Sequence, residues 1–332
     1  MSTNMTLRTG SIPVDRAASA RRFLTAMSFS MSPGFLLAIL ANILWGASFL
    51  ASKYTLQAWG PFTASSLRFG IATSALFIAL KILGKRIEAP QTLRAWFGLV
   101  VIATTGFGVL YPLQLAGLKF IPSSLSAAIM LISPLLVLAL GRAVLKEKLT
   151  TQKWIALGLG IVGGTILLSS TSGALNFNFS SDFIYGSGLT LISAACLAGS
   201  VIATRKYSRD LSSSSLTFWS MAIGFLELTI AAFLFEENVL AGIGRNASLL
   251  SWVSLVFLAL VCSAFCFFIW NYALSKTSPQ EIASSMHIKT PTAVLIGIFI
   301  ANEALTFQIT VGTVLVMIGV WLSQQKTLVG RK

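Results

Sequence analysis

His287 and Lys289 stand two residues apart in an otherwise apolar or small-residue stretch, with Glu281 and Ser285 just upstream. On a helix Glu281, Ser285 and Lys289 fall on roughly one side and His287 on another. His287 is the only histidine in the chain, and imidazole is the side chain that titrates near neutrality without help. A second set runs Asn42, Trp45, Phe49, Lys53 at i, i+3, i+7 and i+11, one narrow helical stripe. Phe107, Tyr111 and Gln114 form a third stripe, and Phe268 and Asn271 a fourth, with Trp270 and Tyr272 adjacent. Amides, aromatic rings and a lone ammonium suit the holding of a small molecule by stacking, hydrogen bonding and charge pairing. They do not suit bond breaking. There is no HExxH, no pair of aspartates and no nucleotide-binding loop. No residue is therefore assigned a catalytic role, and no metal or cofactor is expected. Cys196, Cys262 and Cys266 all fall in apolar segments, which excludes a disulfide framework.

These stripes sit in a chain that is 55% hydrophobic and only 10% charged. Ten apolar stretches are long enough to cross a bilayer, near 34–56, 62–83, 95–116, 122–143, 154–170, 183–204, 214–235, 250–273, 280–300 and 307–324. The expected fold class is an all-α integral membrane protein of ten transmembrane helices, spans 1 to 10. A charged side chain at the centre of a span costs about 2.5–3.5 kcal/mol, so each one there calls for a function or a partner. A buried ammonium at Lys289 needs an anion. The candidates are Glu281, Glu227 midway along span 7, or a carboxylate or phosphate on a substrate. Glu281 and His287 are also the candidates for proton coupling. Lys53 and Arg68, nearer the outer ends of their spans, are expected to snorkel to the interface.

The formal net charge is +14, but its placement argues against nucleic acid. Nineteen of the 24 Lys and Arg fall on one side when the N-terminus is set inside. This positive-inside bias puts both termini in the cytoplasm and the protein in the cell inner membrane, its basic clusters facing an anionic leaflet.

The second half repeats the first. Pro122 begins PSSLSAAIMLISP and Pro279 begins PQEIASSMHIKTP, so that Pro122 and Pro134 recur at Pro279 and Pro291 with an offset of 157. Glu147-x-Leu149-Thr150-x-Gln152 is echoed by Glu303-x-Leu305-Thr306-x-Gln308, and these read as turn and helix-cap devices. Five spans per copy is odd, so the second copy must enter the membrane from the opposite face. The expected organisation is a tail at 1–32, repeats at 33–170 and 183–324, and a tail at 325–332. Pro134 and Pro291 lie inside spans 4 and 9, where each removes a hydrogen bond to the carbonyl four residues back, at Met130 and His287. Discontinuous helices at repeat-related positions mark the binding site of inverted-repeat transporters. Gly160 and Gly164 in span 5, with Gly312 and Gly319 in span 10, are small stripes that serve packing within a monomer or a homodimer surface.

LWGASFLASK in span 1, SLRF in span 2, the Pro122–Pro134 segment and its Glu147-x-Leu-Thr sequel together resemble the EamA family of drug/metabolite transporters. The resemblance covers all ten spans. It implies a cavity lined mainly by spans 1, 3, 4, 6, 8 and 9, which is where the stripes lie. It also implies secondary transport of small charged or zwitterionic metabolites, amino acids or related compounds, by alternating access. A lysine in the middle of span 9 is more like the sugar-phosphate exchangers, which favours a substrate with an anionic group. Exchange of phosphorylated or nucleoside-type metabolites is the alternative, and a membrane-embedded enzyme a further one. The expected partners are a small-molecule substrate and the lipid bilayer.

The topology is tested by cysteine accessibility in intact cells. A cysteine replacing Ser172 should react with an impermeant reagent from outside, and one replacing Ser208 should not. The reverse pattern would contradict the orientation.

Overall fold

The computed structural model describes residues 32–146, 149–169, 180–207, 211–237, 239, 247–277 and 279–325. The N-terminal tail, Glu147, Ser172, Ser208 and the end of the C-terminal tail lie outside the described residues. All regular structure in the described residues is helical. Span 1 is Pro33–Thr55, span 2 Pro61–Ile82, span 5 Thr151–Leu168, span 6 Ser181–Tyr207, span 7 Ser213–Phe235 and span 10 Phe307–Gln324. Span 3 runs as Leu93–Ala103, a π-helical segment Thr104–Gly108, and Leu110–Leu118. Span 8 has the same build, with Leu249–Val256, a π segment Phe257–Phe265, and Cys266–Lys276. Span 4 is broken into Ser123–Met130 and Ser133–Val144, and span 9 into Pro279–Met286 and Lys289–Ala301. Nine of the described helices or helix runs are long and apolar enough to cross a membrane. Span 9 is the exception, because its break leaves only a 13-residue apolar helix after it.

Local chemistry sets the helix ends. Ser32, Thr92, Ser212, Ser248 and Thr306 each occupy an N-cap and accept a backbone N–H three residues on. Thr150 holds the equivalent cap position of span 5, but its side chain makes no capping bond. Large apolar side chains such as Ile161, Phe233, Phe235 and Phe299 remain on the outer surface, as lipid-facing positions require.

The helices pack as two related halves. Span 3 lies on span 6 and span 8 on span 1. Span 4 lies on span 6 and span 9 on span 1, while span 7 meets span 3 and span 2 meets span 8. Exchanging the halves turns each contact into its counterpart. Spans 2 and 7 pair with each other, as do spans 5 and 10. In the second pair Gly163 and Gly312 face each other so closely that a Cβ on either would meet the other's carbonyl oxygen. This small-residue face is therefore used inside the chain.

Two carboxylates tie the halves together. Glu236, just past span 7, accepts the backbone N–H groups of Phe62 and Thr63 at 2.7 and 3.0 Å, and the Thr63 hydroxyl at 2.5 Å. Glu303, in the turn after span 9, accepts from Ser123 N and Oγ, both at 2.8 Å, and from Ser124 N at 2.9 Å. Each acid thus caps the N-terminus of a helix in the other half, where the free N–H groups and the helix dipole favour an anion. Lys53 adds an ion pair to Glu303 at 3.4 Å. Lys53, 40% exposed, therefore reaches a carboxylate of the other half.

Burial pushes the Glu303 carboxyl up, but the hydrogen bonds from Ser124 and Ser123 outweigh it and hold the group below the usual carboxylate range. A carboxyl depressed in the folded state contributes stability above its unfolded value, about 4.3, and that contribution is lost as pH falls through the folded value. Glu303→Gln should therefore lower stability by about 1.5–3 kcal/mol at neutral pH, the scale of hydrogen bonds to a charged group. Thermal unfolding of detergent-solubilised protein checks this, and the gap between variant and wild type should close on acidification. A gap that does not change with pH would contradict the assignment.

Candidate functional site

The breaks in spans 4 and 9 meet between the halves. Pro134 cannot bond to Met130 O, and Leu131 and Ile132 form a turn there. The Ser133 hydroxyl donates to the freed Met130 carbonyl at 2.8 Å. In span 9 the turn falls at His287 and Ile288, and the Thr292 hydroxyl donates to Ile288 O at 2.8 Å. The Thr290 hydroxyl reaches across to Ala127 O at 3.5 Å, joining one broken helix to the other. The second pieces start at Ser133 and Lys289, and both residues line a cavity of about 240 Å³. The positive ends of two helix dipoles therefore open onto it.

The cavity walls are aromatic and its charges are basic. Trp45, Phe49, Tyr111, Phe267 and Trp270 line it, with Asn42 and Gln114 supplying amides. The Trp45 ring centroid is 5.2 Å from that of Trp270 and 5.8 Å from that of Phe267. The Trp45 indole N–H donates to Cys262 O, a carbonyl of the span 8 π segment, at 2.8 Å. Asn42 Nδ2 donates to Ala38 O at 2.9 Å and Ser285 Oγ at 3.2 Å. His287 meets Gln324 Oε1 at 3.1 Å through Nε2.

Two cations share this space. Lys289 places Nζ 5.3 Å from the centroid of the Phe49 ring. Arg68, only 4% exposed, donates from Nε to Ser263 Oγ at 2.9 Å, and its Cζ lies 4.7 Å from the centroid of the Tyr111 ring. Among the described residues neither has a carboxylate within 4 Å, and the one ion pair is Lys53–Glu303. Neither acid expected as a partner is in reach of Lys289. Glu281 occupies the first turn of span 9, and Glu227 accepts from the Thr104 hydroxyl at 2.6 Å. Cation–π contacts offset part of the desolvation of these charges, and the helix N-terminus at Lys289 works against it. The remainder is what an incoming anion would relieve.

Of the residues expected at the site, Asn42, Trp45, Phe49, Tyr111, Gln114, Pro134, His287 and Lys289 line the cavity. Phe107 does not. It is buried behind the wall, its ring centroid 5.1 Å from that of Phe69, against Gly224 of span 7. Phe268 points instead into a separate groove with Leu76, Leu80 and Lys85, and Phe267 takes its place. The two stand side by side in the helix Cys266–Lys276, where neighbouring side chains point about 100° apart, and Phe267 is the one that lines the cavity. Pro291 shapes the break without lining the cavity. The side chain of Asn271 lies outside those described.

Arg68 is the main residue that sequence reasoning misplaced. It does not snorkel. It lies seven residues into span 2, about 10 Å along the helix axis, too deep to reach the interface. That depth was the available signal.

A model of the EamA-like transporter family matches residues 32–169 and 184–324. The chain is 24% identical over 279 residues to the uncharacterized transporter YyaM of Bacillus subtilis, covering 84% of this chain and 89% of that one. It is 25% identical over 301 residues to a protein of Salmonella typhimurium named "Probable amino-acid metabolite efflux pump", covering 89% and 95%. It is 26% identical over 293 residues to an uncharacterized transporter of Archaeoglobus fulgidus, covering 88% and 97%. A crystal structure 18% identical in sequence matches with a TM-score of 0.62 over 89% of this chain and 98% of its own, which is a likeness of fold.

Proposed function

The chain belongs to the EamA-like transporter family, and from that premise we propose that it carries small organic anions, or zwitterions held by their anionic group, across the cytoplasmic membrane. It does so as a secondary transporter, by alternating access between two oppositely oriented five-span halves, with both termini in the cytoplasm. The observation that carries this reading is the pair of cations, Arg68 and Lys289, in a cavity whose described lining includes no carboxylate. The substrate supplies the missing negative charge. Asn42 and Gln114 orient its polar groups, and Trp45, Phe49, Tyr111, Phe267 and Trp270 cover its apolar part. The volume suits a metabolite of amino-acid size. An amino acid or close derivative agrees with the name of the Salmonella relative. Two cations rather than one also favour a second reading, exchange of a phosphorylated metabolite.

Counterflow from proteoliposomes loaded with amino acids, dicarboxylates or phosphorylated metabolites separates these readings. Lys289→Gln and Arg68→Gln should each weaken affinity about 10- to 150-fold, equivalent to about 1.5–3 kcal/mol. Each should also leave the substrate-free protein at least as heat-stable as wild type, because a repelling charge has gone. Unchanged affinity would exclude the binding role. A loss of stability without a loss of affinity would indicate a structural role instead.

A further inference from the structure

We propose that Glu227 is the proton-binding site that couples transport to the proton gradient, at a place outside the substrate cavity. The inference rests on the transporter reading above. Glu227 is the fifteenth residue of the 23-residue span 7, well inside the apolar thickness. Its two carboxyl oxygens have unequal surroundings. Oε1 accepts from Thr104 Oγ1 at 2.6 Å, while Oε2 is buried and has no hydrogen-bond partner among the described residues. Oε2 lies against Gly108, where a Cβ would collide with it. An ionised carboxylate with an unpartnered oxygen at this depth is far costlier than the neutral acid. The described conformation is therefore the proton-loaded one.

The partners of Glu227 give it a route to the cavity. Thr104 and Gly108 are the first and last residues of the span 3 π segment. The same helix continues into Tyr111 and Gln114, which line the cavity. Gly224, one turn before Glu227, receives Phe107 from that segment. Separating spans 3 and 7 here would expose the carboxyl to water and move two cavity residues in one motion. Single π turns within α-helices recur at functional sites. The step is one protonation. The carboxylate takes up a proton to form the acid and returns it when the segment opens, with no other reactant.

The charged and titratable groups on the elements packed against span 7 give the carboxylate no counterion among the described residues. Span 2 brings Arg68, engaged with Ser263 and Tyr111, and Lys81, which lies over Phe77. Span 3 brings Arg94 in its first turn and Tyr111, and the last part of span 8 brings Cys266, Tyr272 and Lys276. None of these cations lies within 4 Å of Glu227.

Two measurements test the assignment. Infrared difference spectra of purified wild-type protein, recorded between neutral and alkaline pH, should show a protonated-carboxyl band that is missing in Glu227→Gln. In proteoliposomes, an imposed pH gradient should drive accumulation of the radiolabelled amino acid that gives counterflow. Glu227→Gln should lose that accumulation and keep counterflow, and Glu227→Asp should keep both. If Glu227→Gln fails to fold, Thr104→Val replaces it and should move the pH at which the band disappears. Wild type without counterflow would sink the transporter reading while the infrared band still judged the site. An unchanged band in Glu227→Gln or Thr104→Val, or gradient-driven accumulation that survives in Glu227→Gln, would overturn the proposal.

Discussion

Two positive charges held in one apolar cavity, with no facing carboxylate among the described residues, constrain much of this structure. Arg68 is nearly fully buried, and Lys289 begins a helix, where the dipole adds to its own charge. Such an arrangement does not persist for its own stability. Aromatic faces partly compensate it, Phe49 under Lys289 and Tyr111 and Phe69 around Arg68. The remaining deficit is the physical basis for proposing that the cavity selects anions, since only a ligand bearing negative charge recovers the desolvation already incurred.

The rest of the fold delivers those charges and keeps them movable. Breaks in spans 4 and 9 turn two helix N-termini toward the cavity, and the Ser133 and Thr292 hydroxyls take up carbonyls near the breaks. Spans 3 and 8 carry π segments at related places, in the two helices that line the cavity from either half. Glu236 and Glu303 clamp helix N-termini of the opposite half. They are points that rearrangement of one half against the other would have to release. Spans 2 and 7 and spans 5 and 10 join the halves elsewhere, the latter pair through closely packed glycines.

Much of this was legible in the residues. The proline pair and its 157-residue offset located both broken helices, because proline removes a backbone hydrogen bond wherever it sits. The stripe Asn42, Trp45, Phe49 was legible because span 1 is a regular α-helix, and these three residues line the cavity as counted. Spacing alone did not choose the face of span 8. Phe268 gave way to its neighbour Phe267 because the face of the helix Cys266–Lys276 that meets the cavity is set by its packing on span 1. Arg68 was misplaced for a different reason. Its depth was readable, but its partners Ser263 and Tyr111 come from spans 8 and 3, which only the tertiary packing brings beside it. Glu303 was read as a turn and helix-cap device, and it does cap a helix N-terminus, but one in the other half, 180 residues away in sequence.

The central claim is that the cavity selects its substrate by negative charge. The most direct measurement is competition in counterflow between the exchanged metabolite and its own uncharged amide or ester, on wild-type protein. These compounds match in size and differ in charge. The neutral analogue should compete poorly with the anion, and neutralising both Arg68 and Lys289 should remove the preference. A neutral analogue that competes as well as the anion on wild-type protein would contradict it.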